Sequence, residues 1–280
     1  MVPRKIALIT PSVRLLGARR SLLALVKALD TARFVPIVVC PRRGDLQELL
    51  VENRIPTHTH ALPPWRKVRY WPVIPSHIRR LSRWAEGLGI SLLHANEAHS
   101  APYAIRVGQR LGIPTISHIR LPVTERMIRN YELRHADRVV AVSHAVAEAF
   151  RSWPDCEKRV RVIYNGLDVE QWRRAAGDIA AARRGIRQRL GLAPDAFLIG
   201  QVGLIGQRKQ QHLFVEAARR MASRPSSPQA APKANCHFLI VGNPSPGETA
   251  YSRQLAQAIE SAGLSRQITI WPFERQIEPI

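Results

Sequence analysis

Residues 91–118 read SLLHANEAHSAPYAIRVGQRLGIPTISH, and the period of the pattern changes twice along them. Ser91–Ala95 is a short apolar run. Ile105, Val107 and Leu111 then recur at helical spacing, and Gly112-Ile113-Pro114 stops that pattern before the β-branched run Thr115–His118. Two strands joined through a helix of this length are expected to lie parallel in one sheet, because only hairpin neighbours can use a short turn. The alternation continues outward in both directions. Lys5–Thr10, Val35–Cys40, Arg138–Val142 and Arg161–Tyr164 read as further strands, and Leu22, Leu25, Val26 and Leu29 mark a helix between the first two. The expected architecture is α/β, an open and mostly parallel sheet with helices on both faces, whose ligands sit beyond the carboxyl ends of the strands.

After Tyr164 the texture changes. Asn165-Gly-Leu-Asp168 leads into the Arg- and Ala-rich stretch Arg173–Arg189, where strand signals vanish, so 165–195 reads as a linker between a domain at 1–164 and another at 196–280. The second series runs strand Phe197–Val202, helix Lys209–Ala222, strand Phe238–Val241, helix Glu248–Ala262 and strand Gln267–Trp271. Arg224–Asn235 between them reads as a Pro/Ser loop without core. Three strands are few for a sheet covered on both faces, so the second domain is expected to be incomplete at Ile280. A length of 280 residues fits two domains.

Composition narrows the classes. Hydrophobic residues make up 45% of the chain, enough for packed cores, and Cys40, Cys156 and Cys236 are too far apart for a disulfide framework or a Cys-x-x-Cys site. That usage fits a reducing cytoplasm. With no long apolar run, nothing is expected to cross a membrane. The net charge of +21 suits phosphate, anionic lipid or nucleic acid, although 36 Arg against six Lys is also what a GC-rich genome produces without selection for binding.

Gly200-Gln-Val-Gly203-Leu-Ile-Gly206-Gln-Arg208-Lys209 reads as a strand, a glycine turn and a helix start. Unpaired helical amides with Arg208 and Lys209 beside them could hold a phosphate, but Walker A spacing fails and an ordinary βα turn has the same spelling. Pro11–Gly17 opens a similar turn before a helix with Arg19 and Arg20 in its first turn. His118 ends a strand where ligands are expected and is followed by Arg120; it reads either as a hydrogen-bonding partner for a polar substrate or as a structural histidine. Ser143 reads as an N-cap, not a nucleophile. No His or Cys set has metal spacing, and Glu97 stands alone near its strand edge, so neither a metal site nor a carboxylate pair is expected.

Pro63–Arg83 holds Arg66, Lys67, Arg69, Arg79, Arg80 and Arg83 without an acidic residue, interleaved with Trp65, Tyr70 and Trp71 and followed by Trp84. Ile78, Leu81, Ala85 and Leu88 would line the buried side of a helix. The segment reads as a surface for anionic lipid, for single-stranded nucleic acid, or as a merely solvated basic face.

Together these landmarks resemble the family 4 glycosyltransferases of the glycosyltransferase-B fold, which have two Rossmann-like domains around a cleft. Ile6-Ala-Leu-Ile-Thr-Pro11 with Leu16-Gly17-Ala18 is similar to the family's opening strand and glycine loop. Leu93-His94-Ala95-Asn96, Gly112-Ile-Pro-Thr115, Ala136–Ser143 and Val162–Asp168 resemble its successive landmarks, Gly203–Lys209 its donor diphosphate loop, and His118 its strand-end histidine that contacts the transferred sugar. The chain departs from the pattern at Arg20, which fills an acidic slot, and at Leu204, which stands where an arginine often follows the glycine. The resemblance also places the end of the chain before the family's paired glutamates.

The resemblance implies transfer of a sugar from a nucleotide diphosphate donor to a glycan or lipid-linked acceptor, with retained configuration, no metal and no cofactor beyond the donor. Lys209 and His118 would be catalytic. Arg208, Gly203, Gly206, Gly17, Asn96, Glu97 and Arg120 would bind substrate. The protein would be cytoplasmic, lying on the inner face of the membrane through Pro63–Arg83. The competing classes are a non-catalytic acceptor- or membrane-binding module and, without RNP, zinc or recognition-helix signatures, a nucleic-acid binder.

Overall fold

The computed structural model describes residues 2–222 and 236–272, which fall into two compact units, Met1–Asp168 and Val169–Ile280. In the first unit seven strands, β1 (Arg4–Ile9), β2 (Phe34–Cys40), β3 (Thr57–Thr59), β4 (Ile90–Ala95), β5 (Thr115–Ile119), β6 (Arg138–Ala141) and β7 (Val160–Val162), form one parallel sheet. Their order is β3-β2-β1-β4-β5-β6-β7. The chain reverses its direction of travel across the sheet between β1 and β4, which opens a crevice at their carboxyl ends.

The alternation of side chains on β1 and β2 explains why both faces are covered. Ala7, Ile9, Ile37 and Val39 point into one cluster, with Leu81 and Ala85 of α3 (Ile74–Gly87) and Tyr103, Ala104 and Val107 of α4 (Ala101–Leu111). Ile6, Leu8, Val38 and Cys40 point into the other, with Leu22 and Val26 of α1 (Gly17–Ala28) and Leu46 and Leu50 of α2 (Asp45–Glu52). Each fully buried aliphatic side chain contributes about 1.5–3 kcal/mol, so a register slip that turned β1 over would be expelled from both layers at once. Short helices α5 (Glu125–Asn130), α6 (His144–Ala147) and α7 (Cys156–Arg159) complete the unit. Ser143 caps α6, accepting from the Val146 N–H at 3.3 Å, as its sequence position suggested.

The second unit has a parallel sheet of β8 (Phe197–Val202), β9 (Cys236–Val241) and β10 (Ile268–Trp271) in the order β10-β9-β8. Here two sequence expectations need correction. Residues 165–195 are no bare linker: they hold α8 (Val169–Ala176) and α9 (Ile179–Arg189). Asp178 caps α9 through the Ala180 and Ala181 amides at 2.8 and 3.1 Å, and buried Ile186 packs with Leu239 and Val241 of β9. Three strands also suffice for burial on both faces of β9, because Phe238 and Ile240 pack on the opposite side with Val215 of α10 (Gln211–Ala222) and Leu255 of α11 (Thr249–Ser261). The expected loop Arg224–Asn235 lies outside the described residues.

The basic segment 63–83 also differs from its reading. Trp65 packs edge-on to Tyr103, and Trp84 stacks on His58 at 4.2 Å, so these two rings belong to the body of the unit. Trp71 remains exposed, with Val68 and Val73. Leu88 is exposed as well, because α3 ends at Gly87 and the buried stripe ends with Ala85.

Candidate functional site

In the first unit the sheet edge gathers most of the candidates. The Asn96 N–H donates to the Ile9 carbonyl at 2.9 Å, which ties the end of β4 to the end of β1. Asn96 is fully buried; its Nδ2 donates to the carbonyl of Ala18 at 3.3 Å and its Oδ1 accepts from Arg120 Nη2 at 2.7 Å. Arg120 also donates from Nε to the Asn96 carbonyl (2.9 Å), from Nη1 to Ser21 Oγ (2.9 Å) and Asn165 Oδ1 (2.8 Å), and from Nη2 toward His118 Nδ1 (3.4 Å). Five donors meet five acceptors, so the guanidinium is consumed. Arg120 and Asn96 are thus positioning residues here, not free substrate ligands as the sequence suggested.

His118 and His94 are both 8% exposed, with rings stacked at 5.5 Å. Burial, the Arg120 charge and the neighbouring His94 push the His118 pKa down to about 3, and burial with Arg120 pushes His94 to about 4. Both rings are therefore neutral at pH 7. Because Nδ1 of His118 faces an Arg120 donor, the proton sits on Nε2, and that N–H has no partner among the described residues. A neutral donor of this kind can hold a hydroxyl group.

Glu97 pairs with Arg19 of α1 at 3.2 Å. Burial raises its pKa against the opposing pull of Arg19 and Arg120. Gly17 starts α1 with open space where a Cβ would stand, so the approach to that helix N-terminus is clear. Beside Glu97, a cavity of about 340 Å³ opens between Pro11-Ser12 and the segment 62–67. Ser21, Asn165, His94 and the buried Tyr131 next to this cavity were not singled out for these roles from sequence; the partners of Arg120 lie up to 99 residues away.

The glycine loop of the second unit is built differently from its reading. The helix starts at Gln211, not Lys209: Gln207–Lys209 form a 3₁₀ turn and Gln210 takes a left-handed conformation with φ 54°. The Gly203 N–H donates to the Val241 carbonyl at 2.9 Å, and the Gly206 N–H to Gln211 Oε1 at 3.2 Å. These two amides are spent inside the fold, so they form no phosphate cradle. Buried Gln211 returns a bond from Nε2 to the Leu204 carbonyl at 3.0 Å, and Gln201 Nε2 holds the Lys209 carbonyl at 2.9 Å. A Cβ on Gly206 would stand 3.4 Å from the Glu248 carboxyl carbon, a poor neighbour for an anion. The open side is at Gly203, whose Cβ position lies 3.9 Å from Lys209 Cε. Arg208 and Lys209 are exposed, and their charged tips have no partner among the described residues.

No group of three or more His, Cys, Asp or Glu side chains among the described residues could hold a metal ion. No described helix is long and apolar enough to cross a membrane.

The sequence profile of Glycosyltransferase Family 4 matches residues 16–171, more than half of the chain. D-inositol 3-phosphate glycosyltransferase of Stackebrandtia nassauensis is 28% identical over 201 residues, 64% of this chain and 42% of that protein. The chain therefore matches less than half the length of this relative. Among solved structures, Anabaena HepE in complex with UDP and glucose superposes with a TM-score of 0.78 at 22% identity, over 99% of this chain and 71% of that one. A glycosyltransferase from Rickettsia africae gives 0.79 at 14% identity, over 100% and 70%. At these identities the structural likeness is one of fold, the glycosyltransferase-B fold that the landmarks resemble.

Proposed function

The chain belongs to glycosyltransferase family 4, and from that premise we propose that it moves a sugar from a nucleoside diphosphate to a hydroxyl group of a glycan or lipid-linked acceptor. The observation that carries this reading is Lys209, an exposed cation without a partner among the described residues, lying across Gly203 on a strand-end loop of the second unit. In such a transfer the bond between the anomeric carbon and the β-phosphate oxygen breaks as the acceptor oxygen attacks. Negative charge grows on the leaving diphosphate while positive charge grows on the sugar. A fixed ammonium beside the leaving group lowers that barrier, and Arg208 adds to the field. The departing phosphate oxygen becomes more basic as the acceptor hydroxyl becomes more acidic, so it can take the proton. That is compatible with retained configuration and needs no metal. The unpartnered Nε2–H of His118 supports a role in orienting a sugar hydroxyl.

The same reading seats the protein on an anionic membrane face. Val68, Trp71 and Val73 are exposed there between Arg66, Lys67, Arg69, Arg79, Arg80 and Arg83, and basic residues near anionic lipid contribute about 1 kcal/mol each.

Calorimetric titration with UDP, GDP and UDP-glucose tests the central claim. Binding heat is expected with at least one of them. Lys209→Ala should weaken it at least about tenfold, or roughly 1.4 kcal/mol, and lower turnover by about 10²-fold. Absence of heat with all three, or unaltered affinity in the variant, would remove the basis of the proposal.

A further inference from the structure

On the solvent side of α3 and α4 lies a cleft of about 870 Å³ that sugar transfer does not use: His118, Asn96 and Glu97 of the sheet edge take no part in lining it. Its floor follows from the sequence of α3. Ile74, Ile78, Leu81 and Ala85 fall on one stripe at helical spacing. The sheet core covers Leu81 and Ala85 completely, whereas Ile74 and Ile78 run on beyond it and reach the cleft together with Trp65. Trp71 lines it too, its indole tied back by a hydrogen bond from Nε1 to the Trp65 carbonyl at 3.1 Å.

The charge around this apolar floor is of one sign. Arg79, Arg106 and Arg110 line the cleft with a single carboxylate, Glu132. Arg106 donates from Nε to Glu132 Oε2 at 2.7 Å and from Nη2 to Oε1, so that pair neutralises itself. Arg79 and Arg110 are exposed and have no partner among the described residues. Indole rings and guanidinium groups around a recessed apolar floor make up the composition of a protein–protein hot spot, and the two uncommitted cations set the sign of what docks there. A second copy of this chain, with its own net charge of +21, would bring like charge against the same arginines. A bilayer would meet the exposed Val68 and Val73, but Ile74, 6% exposed within the cleft, is reached only by a side chain that projects inward.

We propose that this cleft docks another protein through an acidic segment with apolar anchors, whose Leu, Ile or Phe side chains seat on Trp65, Ile74 and Ile78 while its carboxylates pair with Arg79 and Arg110. The inference stands apart from the sugar-transfer reading, because it needs neither the nucleotide nor the residues at the sheet edge.

The test selects a displayed library of random linear peptides on the wild-type protein, then titrates the enriched peptides, synthesised with a fluorophore, by anisotropy. The enriched set is expected to combine Asp or Glu with Leu, Ile or Phe at i, i+3 or i, i+4 spacing. Affinity should fall at least about tenfold in Arg79→Gln/Arg110→Gln. It should stay within about twofold in Arg42→Gln/Arg43→Gln, which removes the same charge from exposed positions of the first unit that do not line the cleft. Replacing the apolar anchors of a selected peptide by Ala should also cost at least about tenfold, a loss that diffuse attraction to a basic protein does not produce. Selection without acidic and apolar enrichment overturns the inference, as do equal losses in the two double variants or anchors that prove dispensable. Phosphatidylglycerol vesicles that distinguish the wild type from Arg79→Gln/Arg110→Gln, where no peptide does, overturn it in favour of lipid.

Discussion

Acidification should destabilise the first unit through His118, and the size of the effect follows from its surroundings. The imidazole is buried beside the Arg120 guanidinium and stacked on His94, which together hold its pKa near 3 against an ordinary 6.5. The sign follows from proton counting. Between pH 6.5 and 3 the unfolded ring is protonated and the folded ring is not, so unfolding takes up a proton and stability falls as pH falls. The contribution is fully present above pH 6.5. At pH 4.5 the two-unit gap between that pH and the unfolded pKa is worth about 2.7 kcal/mol, at about 1.36 kcal/mol per unit. His94, held near 4 by burial and the same guanidinium, adds a second loss in the same window, and His60, also held near 4, a third. Isolating one ring therefore requires a variant. Urea melts of wild type and His118→Asn at pH 7.5 and 4.5 should show the wild type losing roughly 2–3 kcal/mol more than the variant, which cannot titrate there. Imidazole resonances followed by NMR give the same quantity directly. A His118 midpoint near 6 in the folded protein, or equal acid losses in both proteins, would refute the argument.

Two further perturbations probe the framework around the candidate residues. Arg120→Lys keeps the charge but lacks the planar fork that reaches Ser21, Asn96 and Asn165 together, so it should cost about 2 kcal/mol in denaturant melts. Gly242→Ala places a methyl group 1.9 Å from the Gly203 carbonyl oxygen at a φ of +154°, and strain with overpacking should destabilise the second unit by about 2 kcal/mol or more. Thermal unfolding measures the loss, and nucleotide titration of the same variant should show weakened binding at the adjoining loop.

The strands were readable because a parallel strand buried on both faces needs a run of apolar or β-branched residues, and Ile6–Ile9 or Val35–Cys40 are unmistakable in that respect. The Ser143 cap was readable because its partner is only three residues away. The helices at Val169–Ala176 and Ile179–Arg189 were not. Their sequence is dominated by Arg and Ala, and in the second of them Ile186 is the one buried residue. The fate of Arg120 was also hidden, since an exposed-looking arginine after a strand gives no hint that Ser21 and Asn165 converge on it. At the glycine loop the sequence suggested free amides. What decides the matter is Gln211, an ordinary polar residue at the helix start that turns inward and occupies one of them. Tyr131 carried no signal in the sequence, because a buried tyrosine whose hydroxyl has no partner among the described residues is spelled like any other core tyrosine.

The abutment of Gly242 on Gly203 has a consequence for how this half of the molecule can diversify. With one α-carbon pressed to the other's carbonyl, the turns after β8 and β9 behave as a single back-to-back block. Lengthening either turn would have to be matched by the other. The chemistry of that rim is therefore more easily retuned by exchanging exposed side chains such as Arg208 and Lys209 than by remodelling the backbone beneath them.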